Sequence, residues 1–130
     1  MPIRIVHTAD CHIGLPFKAF EGVPALRSKL IEERFTALGR LVDEANSRRV
    51  DFFVVAGDLF DTTRVTKADI AQTVGILNGF AGVAVIVVPG NHDYFTGPET
   101  EVWKRFREAV TEAGASSIDL LTSPVVKGYE

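Results

Sequence analysis

Side chains able to hold a cation or move a proton crowd into three short stretches of this chain. The first is His7-Thr8-Ala9-Asp10-Cys11-His12, the second Gly57-Asp58-Leu59-Phe60-Asp61, and the third Pro89-Gly90-Asn91-His92-Asp93. Asp10 and His12 stand two apart, so an extended backbone would turn both the same way. One carboxylate and one imidazole are two legs of a site for a borderline divalent ion. An aspartate capping a turn beside an exposed histidine would leave the same trace. Gly57 permits a tight turn and a close approach. Asp58 behind it would reach into a crevice, where one carboxylate can bridge two cations; an aspartate capping a helix or a turn is the plainer alternative. Asn91 offers an amide oxygen, His92 a proton at neutral pH, and Asp93 a carboxylate that could orient that imidazole; a bare Pro-Gly-Asn turn is the plainer alternative. Asp61 is expected to hold its own loop or to bond the imidazole of a ligand from behind.

Each cluster follows an apolar run. Ile3 to Val6 is β-branched and reads as a first strand. Phe52 to Ala56 reads as a second, buried on both faces, and Val83 to Val88 as a third, stopped by Pro89-Gly90. Between them lie helical spacings. From Pro24 to Arg48 the apolar positions are Leu26, Leu30, Ile31, Phe35, Leu38, Leu41, Val42 and Ala45. Thr66 opens a second helix with Asp69 as its capping partner and Ile70, Val74 and Leu77 on its apolar face. A third is expected from Gly97-Pro98, lined by Val102, Trp103, Phe106 and Val110 and closed by Gly114. Ile118 to Leu121 begins a fourth strand. Alternating strands and helices with right-handed crossovers predict an α/β fold, a mostly parallel sheet flanked by helices. Ligands of such sheets gather outside the carboxyl ends of the strands, where all three clusters fall.

Composition narrows the setting. The 130 residues carry a formal charge of −3, 46% hydrophobic and 24% charged residues, the balance of a globular protein. No apolar run reaches the roughly 20 residues that span a bilayer, and the first residues lack the apolar stretch of an export signal. With Cys11 the one cysteine, no intrachain disulfide framework is possible. A cytoplasmic setting is expected, with no membrane partner. The acidic balance argues mildly against a nucleic-acid substrate, although bound cations reverse the field locally. Arg48-Arg49 and Lys104-Arg105 with Arg107 read as solvated helix faces.

Taken in order, Asp-x-His, Gly-Asp and Gly-Asn-His-Asp, each behind a strand, resemble the calcineurin-like metallophosphoesterase superfamily from Ile3 to about Tyr94. The fuller stretches, through Ile13-Gly14 after the first cluster and with Leu59-Phe60-Asp61 in the second, are similar to its DNA-repair exonuclease branch. That branch contains the nuclease subunit that works beside an SMC-like ATPase. Leu15-Pro16-Phe17-Lys18 is similar to a smaller bacterial relative. The resemblance implies that Asp10 and His12 hold a first metal, that Asp58 bridges both metals, and that Asn91 binds the second. His92 then faces the substrate as catalytic acid or phosphate stabiliser, with Asp93 in support. Two divalent ions, manganese for this branch, are implied, with DNA as substrate.

The family completes its site with a later histidine and a Gly-His-x-His segment, whereas the histidines here are His7, His12 and His92. Residues 1–130 are therefore expected to be the N-terminal part of a longer metallophosphoesterase domain, the first half of a four-layer α-β-β-α fold. Two other functions share these motifs: hydrolysis of a small phosphoester, such as a mononucleotide or cyclic nucleotide, and a non-catalytic relative lacking the distal ligands. Cys11 is expected to point away from the metals as a buried thiol. His7 is expected to bond outer groups of the site or simply pack. Tyr94 and Phe95 are expected at the rim or in the core, with base stacking the alternative.

Overall fold

Four short strands pair in chain order into one parallel sheet, β1 (Ile5–Thr8), β2 (Phe52–Ala56), β3 (Ala84–Val88) and β4 (Ile118–Leu120). The structure is a computed structural model and describes residues 2–124 and 126–129. Ile5 lies opposite Phe52, Phe52 opposite Ala84, and Val85 opposite Ile118. The first strand sits two residues later than its apolar run suggests, so His7 and Thr8 belong to the sheet itself. The helices are α1 (Pro24–Ser47), α2 (Lys67–Leu77) and α3 (Glu101–Ala113), and a single 3-10 turn covers Lys18–Phe20.

Strands added in the order 1-2-3-4 by crossovers of one hand bring every helix to the same side of the sheet. Burial alternates accordingly. Phe53, Val55, Val85 and Val87 are buried beneath the helices, while Ala56 and Val88 on the other face are exposed and Phe52, Val54 and Ile86 only half-covered. The expectation that β2 is buried on both faces is thus corrected: its continuous apolar run serves one helical layer, and its second face is open. The described residues form two layers, the helices lying against one face of the sheet. Across the open face run the last described residues. Tyr129 packs edge-on against Phe52 at 5.3 Å between ring centroids. Its hydroxyl donates to Asp119 Oδ2 at 2.8 Å, and Lys127 Nζ pairs with Asp119 Oδ1 at 2.8 Å.

Within α1 only Phe35, Leu38, Val42 and Ala45 are buried. Leu26, in the first turn, and Leu41, between buried Leu38 and Val42 but off their face, are exposed, at 41% and 36%. Thr66 caps α2 as expected, its hydroxyl accepting the Asp69 amide at 3.2 Å. The third helix starts at Glu101, three residues after Pro98. Gly97 takes φ 154°, and the Thr100 hydroxyl closes the stretch before the helix by accepting from the Thr96 amide at 3.0 Å and donating to the Gly97 carbonyl at 2.9 Å. The turn uses up the start signal that proline gave. Gly114, in the left-handed region at φ 63°, ends α3 as a residue without Cβ can.

Candidate metal centre

Pairing between β1 and β2 does not stop where the strands end. The Asp10 amide donates to the Gly57 carbonyl at 3.2 Å, His12 to Asp58 at 3.1 Å, and Ile13 to Leu59 at 2.9 Å, while Asp61 donates back to Ile13 at 2.9 Å. A bridge between Ile13 and Phe60 closes this zip, and the buried side chains of Ile13, Leu59 and Phe60 anchor it in the core. The polar residues between those anchors are thereby held at the carboxyl edge. Asp10, His12 and Asp58 all take positive φ, at 57°, 47° and 54°. Such a conformation costs about 1–3 kcal/mol for a residue with a side chain. The extended alternation expected for Asp10 and His12 is therefore not what joins them. Left-handed turns do, and they leave His12 Nε2 3.9 Å from Asp10 Oδ1.

Behind β3 the third cluster folds back over Asp58. The His92 amide donates to Asp58 Oδ1 at 2.9 Å, and His92 Nδ1 lies 3.1 Å from Oδ2. Asn91 fits with its amide nitrogen turned to the same carboxylate, donating to Oδ2 at 2.8 Å; turned over, that amide would offer its oxygen to a cation. Burial alone would raise the Asp58 carboxyl. The bonds from the His92 amide and ring, with the charge of His92 and His12, outweigh it and hold the group below the ordinary carboxylate range. Asp58 is buried and acceptor-rich, the state in which a carboxylate serves a cation.

Two glycines make the approach possible. A Cβ on Gly90 would overlap the Asp58 carboxylate and its amide, and one on Gly57, at φ 93°, would come within 3.3 Å of Gly90 Cα. Asp93 is fully buried. Its Oδ1 accepts the amides of Asp58 at 3.2 Å and Gly90 at 2.7 Å, and its Oδ2 that of Phe60 at 3.0 Å. Burial pushes the Asp93 carboxyl up, and the neighbouring Asp58 charge adds to this against the three amides. The carboxylate expected to orient the His92 ring instead bonds the backbone on either side of Asp58. It supports the site by clasping the second and third loops together.

Two contributors leave no signature in the sequence. Trp103 Nε1 donates to the Asp93 carbonyl at 2.6 Å, tying α3 to the third loop, and Arg34 on α1 reaches the Cys11 carbonyl at 3.4 Å. Cys11 packs against the core, where burial pushes its thiol up. His7 is exposed on the open sheet face. Tyr94 is half-exposed, while Phe95 packs on the core with the Arg107 guanidinium 5.9 Å over its ring.

The residues present fit a divalent cation. One ligand atom each of His12, Asp58 and His92 lies within 4.8 Å of the other two, with Asp10 beside His12 and Asn91 on Asp58. Two imidazoles, carboxylates and an amide form a mixed nitrogen–oxygen donor set suited to such ions. His92 lies in this cluster with its Nδ1 3.1 Å from Asp58 Oδ2, while the motifs assign its ring to the substrate. No helix among the described residues is long and apolar enough to cross a membrane. The family model described as calcineurin-like phosphoesterase matches residues 3–128. With three loops converging as that family's metal-dependent chemistry requires, the chain belongs to the calcineurin-like phosphoesterases.

Proposed function

We propose that this protein cleaves phosphodiester bonds in DNA, using two divalent cations, manganese by preference, at the carboxyl edge of its sheet. Family membership carries the coarser statement, metal-dependent hydrolysis of phosphoesters. The observation that carries the site is the meeting of Asp10, His12, Asp58, Asn91 and His92 from three successive strand ends. DNA as substrate rests on the likeness of the three motifs to the DNA-repair exonuclease branch, and so does an SMC-like ATPase as partner.

In this reading Asp10 and His12 would hold one cation, Asp58 would serve both, and Asn91 would offer its oxygen to the second. Three histidines do not complete two such sites, so the reading includes nitrogen ligands from outside these residues. Divalent cations held there would supply Lewis acidity and lower the pKa of water at neutral pH. His92 has a side chain 54% exposed and its Nδ1 steadied by Asp58. The other ring nitrogen is left to meet a substrate and give a proton to the leaving oxygen. Asp93 acts through the backbone it holds.

The test is degradation of DNA by the full-length protein. Manganese should support it and a chelator should stop it. Efficient hydrolysis of mononucleotides with no attack on DNA would move the substrate to small phosphoesters; the charge of −3 argues mildly against nucleic acid.

A further inference from the structure

Asp61 belongs to the second motif, yet nothing in the proposed chemistry uses it. Its Oδ1 lies 3.3 Å from His12 Nδ1, and both side chains are largely covered, 17% and 23% exposed. His12 Nδ1 is shut off from solvent and has no well-aligned hydrogen-bond partner, so this carboxylate is the group that can serve it. Nor can the two drift apart. The Asp61 amide is bonded to the Ile13 carbonyl at 2.9 Å, and Ile13 is bridged to Phe60. The zip that places Asp58 beside His12 therefore also sets Asp61 behind the ring. On the far side, Nε2 faces Asp10 Oδ1 at 3.9 Å.

We propose that Asp61 is a positioning residue. Its carboxylate accepts the Nδ1 proton of His12, fixes the tautomer, and leaves the Nε2 lone pair aimed at the Asp10 side of the centre. An imidazole binds a cation only through an unprotonated nitrogen, and a free histidine side chain favours the proton on Nε2, the atom needed here. A carboxylate behind Nδ1 reverses that preference and fixes the ring's orientation. This inference rests on the metal-centre reading for its purpose, but its tautomer can be read without metal.

Nitrogen-15 NMR of the metal-free chain, at a pH where the ring is neutral, reports which His12 nitrogen carries the proton. The wild type should show the proton on Nδ1. Asp61→Asn keeps an oxygen acceptor and should preserve that state, whereas Asp61→Ala should release the proton to Nε2 in part or whole. Calorimetric titration with manganese should show Asp61→Ala weakened by about 10–100-fold, with Asp61→Asn recovering most of the loss. The backbone bond from residue 61 to Ile13 survives in every variant, so amide spectra verify the fold. A wild-type proton on Nε2 overturns the proposal, as does an Asp61→Ala chain with unchanged tautomer and affinity. If Asp61→Ala does not fold, the wild-type tautomer and Asp61→Asn still decide. A wild type that shows the Nδ1 proton, while the full-length protein binds no manganese, would instead sink the metal-centre reading.

Discussion

Asp58 and His92 touch, yet their jobs are separable. Asp58 gathers the amide and ring of His92 and the amide of Asn91, so it sits where a shared anion is needed. Two close cations repel one another unless a negative group lies between them. Asp58→Ala is expected to lose metal and activity together in the full-length protein. His92→Ala should keep its metal by elemental analysis and lose about 10²–10⁴-fold in rate on a substrate with a poor leaving group. A substrate whose leaving group needs no proton should suffer less. Metal loss in His92→Ala beside an active Asp58→Ala would reverse the two assignments. At the opposite face, burial first, then the hydrogen bond to Asp119 and its charge, push the Tyr129 phenol up to about 12. The neutral phenol is the form favoured by the fold. Its contribution is therefore whole below the ordinary value of about 10 and is lost as pH rises through about 12. Absorbance titration of Tyr94→Phe, which leaves one tyrosine of two, should find that late ionisation. Asp119→Asn should bring it back toward the ordinary value.

Among the elements, the loops behind β2 and β3 depend on their glycines more than on any helix. Gly90 lies so near Asp58 that a methyl group must displace either the carboxylate or the chain. Gly90→Ala should cost about 1–3 kcal/mol by overpacking and weaken manganese binding measured by calorimetry. A variant of unchanged stability and affinity would show that the approach is dispensable. The elements themselves were largely legible. Strand runs and helix periods depend on neighbouring side chains, and Thr66, Gly114 and the β-branched stretches each mark a local choice. What was hidden depends on partners far along the chain. The left-handed turns at Asp10, His12 and Asp58 arise from the zip between two loops more than 40 residues apart, and nothing in Asp-x-His announces them. Asp93 looked like a partner for the adjacent imidazole, since only folding brings the amides of Asp58 and Phe60 to it. Trp103 read as core, and it is core, but its hydrogen bond to the Asp93 carbonyl needs the register of α3. The helix start at Gly97-Pro98 failed because a turn and a first helical turn use the same residues.

At the scale of the molecule, one helical layer and one sheet make a platform with two unlike surfaces. A sheet wound in strict chain order puts all helices on one side and leaves Ile5, Ala56 and Val88 exposed on the other. It also brings each strand's carboxyl end to a common edge, which is why residues drawn from positions 10 to 92 can share one centre. That convergence is the central claim, and paramagnetic broadening by manganese tests it directly. Small additions of the ion to the isotope-labelled chain broaden the amide signals nearest to wherever it binds. The account predicts that Asp10, His12, Asp58, Asn91 and His92 and their immediate neighbours fade first and together, and that Asp58→Ala abolishes the effect. Broadening that begins instead at acidic residues of α1 or α3, or that leaves Asp58 untouched while Asp10 fades, would contradict it.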